Sequence, residues 1–78
     1  MHRGYVLTNL DMDSVVSVNL KNKNFDLLPI NSTAVLNKSL CFVNRTAAKT
    51  VQEKIVEKFP DFPATKVVNV AQLYNKVF

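Results

Sequence analysis

Asn44, Arg45 and Thr46 place a cation between two side-chain hydrogen-bond acceptors, just ahead of a helix-like segment. Unpaired N–H groups at a helix start attract an anion, and a guanidinium makes forked, charge-assisted bonds to phosphate. Lys49 follows about one helical turn into the segment, within reach of the same anion. The pattern predicts a phosphate site. A plain helix start, with Thr46 as the N-cap and Arg45 in solvent, fits it equally well.

A second set of basic residues lies in predicted turns. Lys21 and Lys23 alternate with asparagines in one turn, and Lys38 lies in another loop. Lysines at loop tips contact nucleic-acid phosphates, but they also simply keep strand edges soluble. Backbone binding to nucleic acid is therefore predicted if these lysines and Arg45 fall on one surface. It is not predicted if they fall at opposite ends.

Aromatic side chains suggest two further kinds of contact. Tyr5 and Tyr74 lie near basic residues in the sequence, as in modules that stack bases on exposed rings, although core positions fit them as well. Phe62 lies between two prolines, and Phe78 ends the sequence. Either one is a candidate apolar anchor for a partner protein or for a second copy of the chain.

The remaining reactive side chains give little support for an enzyme. His2 is the only histidine, and no second group stands beside it to orient it as a general base. Cys41 lies in an apolar run, so we expect a buried, reduced thiol rather than a nucleophile. Two acidic pairs are typical of a turn and of a solvated helix face, namely Asp11 with Asp13 and Glu53 with Glu57. We expect no enzymatic activity, no cofactor and no metal site.

Hydrophobic patterning predicts the elements that position these residues. Strands are expected at residues 5–10, 15–20, 25–29, 40–43 and 66–68. A helix ended by Pro60 is expected between the last two strands, from the apolar stripe Ala48, Val51, Ile55 and Phe59, with Val56 and Ala47 beside it. This crossover is long enough for a parallel placement of the strands it joins, and an antiparallel placement stays open.

Two segments allow alternatives. Residues 31–38 form either one helical turn or a loop. Residues 69–78 form either a short helix capped by Asn69, which we favour, or a longer strand. Pro29 predicts an edge strand or a strand end, because it lacks a donor. Gly4 is the only glycine, so asparagine is expected at left-handed turn positions.

Composition limits the class of protein. The 78 residues, 47% of them apolar, make one small domain over residues 1–78 with a thin core, which a homodimer would support. The net charge of +4 favours acidic partners such as nucleic acid. We expect no membrane span and no secretion signal, and the single cysteine suits the cytoplasm.

Asparagine, lysine, valine and phenylalanine are abundant while glycine is nearly absent, and in this the chain resembles small accessory proteins of phages with AT-rich genomes. The resemblance implies a counter-defence role against a host factor, by binding RNA or a host protein. We predict a small α+β domain, with a single-layer, mostly antiparallel sheet of four to five strands, one main helix and a short C-terminal helix. The predicted function is non-enzymatic binding of nucleic acid, with RNA favoured. The alternative is an inhibitor or adaptor that binds protein through an apolar patch or an exposed strand edge.

Overall fold

A computed structural model describes residues 4–77, which form an antiparallel sheet and three helices. The strands are β1 (Tyr5–Asn9), β2 (Ser14–Asn19), β3 (Asn24–Pro29), β4 (Cys41–Phe42) and β5 (Thr65–Asn69). The helices are α1 (Thr33–Lys38), α2 (Arg45–Lys58) and α3 (Val70–Val77). The predicted α+β class with one main helix and a short C-terminal helix is therefore confirmed, and α1 resolves the first open segment as a helix.

Strand β1 is central and pairs antiparallel with three other strands. β5 follows β1 over its whole length. The other edge of β1 is shared, because β4 pairs with Tyr5 and Val6 while β2 pairs at Thr8. β4 and β5 are both antiparallel to β1, so they run parallel to each other with β1 between them. Of the two placements left open by the sequence, the structure therefore has the parallel one. The two strands joined through α2 are not neighbours, because β1 lies between them.

The hairpin of β2 and β3 extends the sheet beyond β1. Val18 lies opposite Phe25 and Val16 opposite Leu27, so alternate apolar residues of the two strands meet on one face of the sheet. β3 pairs only with β2 among the described residues, so Pro29 ends an edge strand, where a missing N–H donor is tolerated.

The sheet is covered on both faces, which gives the domain two small cores. Successive strand residues point to opposite faces, so neighbours such as Val6 and Leu7 enter different cores. One core lies under α1 and α3 and contains Val6, Val15, Leu36, Val68, Val70 and Leu73. The other, called here the α2-side core, contains Leu7, Val16, Ala48 and Ile55. Helix α2, the predicted main helix, covers one face of the sheet, and α1 and α3 cover the opposite face.

The predicted buried strand over residues 40–43 is wrong in length and in burial. β4 has only two residues, because it pairs with only the first two residues of β1. Phe42 packs against the α2-side core, whereas the Cys41 thiol is exposed and Val43 is 91% exposed. The expectation of a buried cysteine is corrected accordingly. Val56, which adjoins the predicted stripe of α2, is also 63% exposed.

The left-handed turn positions are not filled by asparagine, contrary to expectation. Met12 and Lys23 have φ values of 61° and 56°. Asparagine instead serves as an acceptor for turn N–H groups, because Asn9 Oδ1 accepts from Asp13 N–H at 3.0 Å and Asn19 Oδ1 accepts from Asn22 N–H at 3.1 Å.

Gly4 has a φ of 98°, and a Cβ atom there would lie 2.5 Å from the carbonyl oxygen of Phe42. Its own carbonyl accepts from Val70 N–H at 3.0 Å. Close approach and positive φ together require glycine where the chain enters β1.

Candidate nucleic-acid interface

Helix α2 begins with an asparagine cap. Asn44 is extended, and its Oδ1 accepts from Ala47 N–H at 2.8 Å. The prediction of Thr46 as the N-cap is therefore wrong, because the helix starts at Arg45 and Thr46 already belongs to the first turn. An amide oxygen on Asn44 satisfies the same orphan N–H groups that a threonine hydroxyl would. Arg45 and Thr46 are left exposed beside the helix start.

Arg45 is oriented by an aromatic ring. Its Cζ lies 5.4 Å from the centroid of the Tyr5 ring, within the range of a cation–π contact. Tyr5 is half-buried and packs against the α2-side core, so the sheet holds the ring in place. The predicted base-stacking surface of Tyr5 is thus occupied by Arg45.

Lys49 lies one turn further along α2, on the same side as Arg45 because four positions separate them. Both side chains are exposed, and the first turn contains no acidic residue. A helix dipole disfavours cations near the N-terminus, and like charges at this spacing repel by about 0.2–0.5 kcal/mol. The two cations therefore destabilise the start of α2. A bound anion would offset both the unfavourable helix dipole and the repulsion between Arg45 and Lys49.

The hairpin lysines lie at the same end of the sheet as the start of α2. β2 is antiparallel to β1, so its last residues and the turn with Lys21 and Lys23 point to the end where β1 begins. β4 is also antiparallel to β1, and its last residue, Phe42, pairs with Tyr5. α2 starts just beyond it. We call this region the basic end and define it as Lys21, Lys23, Asn44, Arg45, Thr46 and Lys49.

Lys38 lies apart from the basic end. It is the last residue of α1, and its carbonyl oxygen accepts from Ser17 Oγ at 2.9 Å, beside the middle of β2. α1 packs on the face of the sheet opposite α2. The structure thus brings Lys21, Lys23 and the start of α2 to one end but leaves Lys38 on the other face.

The cations of the basic end are exposed, and none pairs with a carboxylate within residues 4–77. Asp26 is the acidic residue nearest the hairpin turn in the sequence, and its Oδ2 accepts from Asn19 Nδ2 at 2.9 Å. This hydrogen bond holds Asp26 within the β2–β3 ladder, where Asp26 lies opposite Ser17. The cations therefore remain available for an external anion.

A cleft beside the basic end was not foreseen from the sequence. Among residues 4–77, it is lined by Gly4, Cys41, Phe42 and Val43, and it has a volume of about 390 Å³. The sequence signal was slight: a lone glycine, which the pairing of Tyr5 with Phe42 places close to an apolar pair. Most of the lining is apolar, and Val43 is 91% exposed at its margin.

The other residues singled out from the sequence do not belong to the basic end: Phe62 and Phe78 as anchors for a partner, Tyr74 as a stacking ring, and His2. Phe62 is half-buried against the α2-side core, and Tyr74 is half-buried against the core under α1 and α3. Phe78 and His2 lie outside the described residues. The ring of Phe62 thus contributes partly to packing and is less available to a partner than a free anchor would be.

In the described part of the chain, no group of three His, Cys, Asp or Glu side chains is arranged to hold a metal ion. None of the helices in residues 4–77 combines the length and apolarity needed to span a membrane. Compared with known proteins, the chain matches no family model, no curated protein and no solved structure.

Proposed function

We propose that this protein is a small, non-enzymatic binding module that contacts the phosphates of nucleic acid through its basic end, with RNA as the favoured ligand. One observation carries the proposal: exposed cations from two separate elements, the β2–β3 turn and the start of α2, lie at one end of the sheet. Phosphate contacts of this kind provide the sequence-independent part of nucleic-acid affinity.

The side chains of the basic end have distinct roles in this proposal. Arg45, oriented by Tyr5, makes the forked contact to one phosphate, and Lys49 adds a point charge beside it. The Thr46 hydroxyl is exposed next to them and donates a hydrogen bond to the same group. Lys21 and Lys23 contact other phosphates of the same nucleic acid, because their turn lies at the same end of the sheet as the start of α2.

The salt dependence of binding tests the proposal. Fluorescence anisotropy with a labelled RNA oligonucleotide and a DNA oligonucleotide of the same length is measured from low to moderate salt. Four phosphate contacts on a single strand give a slope of log K against log salt of roughly −3. Absence of binding to either oligonucleotide at low salt would refute the proposal.

A pair of double variants locates the interface. Lys21→Gln with Lys23→Gln is expected to make the salt slope shallower by roughly 1.4, because two contacts are lost. Lys38→Gln with Lys58→Gln makes the same charge change at exposed positions outside the basic end, because Lys38 lies on the other face of the sheet and Lys58 lies about 13 Å along α2 beyond Lys49. That distance exceeds the Debye length of about 8 Å at physiological salt, so little change is expected. Equal losses in both pairs would show that net charge, not the basic end, drives binding.

We also propose a cytoplasmic location. Cys41 is the only cysteine of the chain, so an intramolecular disulfide is impossible, and its thiol is exposed. An exposed free thiol persists in a reducing compartment. Fractionation of the cells that make the protein tests this part, and recovery of the protein outside the cytoplasmic fraction would refute it.

Protein binding is the second candidate, and exposed apolar side chains favour it. Leu20 and Val43 are 84% and 91% exposed, and within residues 4–77 the outer edges of β3 and β5 are unpaired. An unpaired edge accepts a strand from a partner protein or from a second copy of the chain. Sedimentation at rising concentration checks the homodimer. An unchanged monomer mass at high micromolar concentration would exclude the homodimer.

A further inference from the structure

We propose that the outer edge of β5 accepts an extended, acidic segment of a partner protein. The segment adds to the sheet as a further strand and places two alternate carboxylates beside Arg45 and Lys49 of α2. This inference goes beyond nucleic-acid binding and rests on the second candidate function, protein binding. It specifies which strand edge is used and the chemistry of the segment that occupies it.

The backbone of β5 offers hydrogen-bonding groups along its outer edge. Val70 N–H donates to the carbonyl oxygen of Gly4 at 3.0 Å, where the chain leaves β5. Bonded pairs alternate along an antiparallel ladder, so every second residue before Val70 bonds to β1 and the residues between them point outward. The outward residues are Thr65, Val67 and Asn69. Val67 lies in the middle, and its N–H and C=O groups have no partner among residues 4–77.

One flank of α2 runs along this edge. Gln52 Nε2 donates to the carbonyl oxygen of Thr65 at 2.7 Å, which fixes the helix over one end of the edge. At the other end, Arg45 lies over the ring of Tyr5, the residue of β1 that pairs with Asn69. The seven-residue step along the helix is about 10 Å, and the four-residue step along the strand is about 13 Å. The flank and the edge therefore lie side by side over similar lengths.

The side chains on this flank are mainly cationic. At about 100° of rotation per residue, three exposed side chains project within about 60° of Gln52 around the helix axis. They belong to Arg45, Lys49 and Val56. Neither cation pairs with a carboxylate within residues 4–77, and Val56 is 63% exposed. A segment beside β5 therefore meets two cations and one apolar side chain.

The spacing of the two cations matches alternate residues of a strand. Residues i and i+2 of a strand share a face and lie about 6.6 Å apart. Arg45 and Lys49 are separated by about 6 Å along α2. Val67 packs against the α2-side core, so a residue added opposite it also faces α2 and lies beside Lys49. The residue added opposite Asn69 lies beside Arg45, and acidic side chains at these two positions each pair with one cation.

The chemistry of the edge selects a protein strand as the occupant. Another peptide backbone matches the alternating donors and acceptors of a strand edge, which a sugar–phosphate backbone does not. The two cations favour carboxylates in that strand by charge complementarity. A second copy of the chain is disfavoured here, because pairing two β5 strands about Val67 brings the two Lys49 side chains towards each other. The edge of β3 offers fewer donors, since Pro29 has no N–H.

Amide hydrogen exchange reports directly on the edge. The nitrogen-15-labelled protein is titrated to millimolar concentration with the synthetic peptide acetyl-Thr-Val-Glu-Val-Glu-Val-Thr-amide. Saturation is expected to slow the exchange of Val67 N–H about tenfold, because a bonded amide exchanges only when the added strand detaches. The exchange of the β3 amides should not change. The isomer acetyl-Thr-Val-Val-Glu-Glu-Val-Thr-amide points its two carboxylates to opposite faces, so it should bind roughly twofold to fivefold more weakly.

A matched pair of variants tests the cationic flank. Lys49→Gln is expected to weaken binding of the first peptide roughly twofold to fivefold. Lys58→Gln makes the same charge change at an exposed position that projects about 120° around the helix from Gln52, so no change is expected. Equal effects of the two substitutions would overturn the proposed contact with α2.

The remaining outcomes separate the inference from nucleic-acid binding. Absence of peptide binding at millimolar concentration, unchanged exchange of Val67 N–H, or equal binding of the two isomers would overturn it, and RNA binding measured in parallel would be unaffected. Slower exchange of Val67 N–H at rising protein concentration alone would assign the edge to a second copy of the chain. Equal slowing by an RNA oligonucleotide would assign it to nucleic acid. Either assignment would overturn the acidic segment.

Discussion

The two ends of the sheet use polar residues in opposite ways. At the β1–β2 turn, Asn9 accepts from Asp13 and Ser14 N–H groups and donates to the Asp13 carboxylate. Lys76 Nζ donates to the Asp11 carbonyl oxygen at 2.9 Å. The polar groups of this turn therefore stabilise one another. At the basic end, by contrast, the cations pair with no carboxylate of residues 4–77.

The difference separates an end whose polar groups bond one another from an end whose cations have no carboxylate partner within residues 4–77. Arg45 and Lys49 oppose the helix dipole and repel each other, and Lys23 adopts a left-handed conformation that glycine or asparagine adopts with less strain. Local rules that a chain breaks without an internal gain are expected at functional sites. The β1–β2 turn also has a left-handed residue, Met12, but that side chain packs against the core under α1 and α3.

The largest effect is expected at the point where the basic end joins the sheet. Gly4→Ala places a Cβ atom 2.5 Å from the Phe42 carbonyl oxygen at a φ of 98°. We expect the free energy of unfolding to fall by roughly 2–4 kcal/mol, measured by urea denaturation. A loss below about 0.5 kcal/mol would mean that β1 and β4 separate at little cost.

Loss of the turn asparagine should affect stability alone. Asn9→Ala removes the side-chain bonds that close the β1–β2 turn, and we expect a loss of about 1–2 kcal/mol in urea. The affinity for the labelled RNA oligonucleotide, measured in the same buffer, should not change. A large fall in affinity in the folded variant would break the comparison, because it would show that the two ends are coupled.

Stability and binding should move in opposite directions at the start of α2. Thr46→Glu adds a negative charge to the first turn of the helix, so the free energy of unfolding should rise by about 0.3–1 kcal/mol. The same charge repels phosphate, so the affinity for RNA should fall. Thr46→Gln, a control of equal size, should change neither quantity as much. If Thr46→Glu bound RNA as tightly as wild type, the helix start would lie outside the interface.

The smallest effect is expected in the hairpin. Lys23→Gly relieves the left-handed strain at a φ of 56° but gives the unfolded chain more freedom, for a net gain of about 0.5 kcal/mol. One cation is lost, so the salt slope should become shallower by roughly 0.7. The thermal midpoint and the slope are measured on one preparation. An unchanged slope would remove Lys23 from the phosphate contacts.

Several features followed from short stretches of sequence because they depend on local physics. The period of Ala48, Val51 and Ile55 predicted α2, and Asn69 caps α3 as expected, with its Oδ1 accepting from Ala71 N–H at 2.9 Å. Helix periodicity and caps depend on neighbours within a few residues, so the sequence displays them directly.

Two predictions from local sequence were wrong, namely the burial of residues 40–43 and the N-cap of α2, because contacts with distant residues determine both. The Leu40-Cys41-Phe42-Val43 run looks like a buried strand, yet burial depends on what covers each face, and only Phe42 reaches a core. Thr46 and Asn44 are both competent caps, and the chain begins the helix at the earlier site. Cap propensity alone does not choose between two cap residues that are two positions apart.

By itself, the sequence determined the α+β class, the main helix, the β2–β3 hairpin and the set of exposed cations. The tertiary structure decided where those cations lie. β1 pairs with β5 on one edge and with both β2 and β4 on the other, which brings the turn of Lys21 and Lys23 to the same end as Arg45 and opens the cleft at Gly4. These pairings join residues far apart in the chain, so no local pattern encodes them, and they form only because both faces of one sheet must be buried.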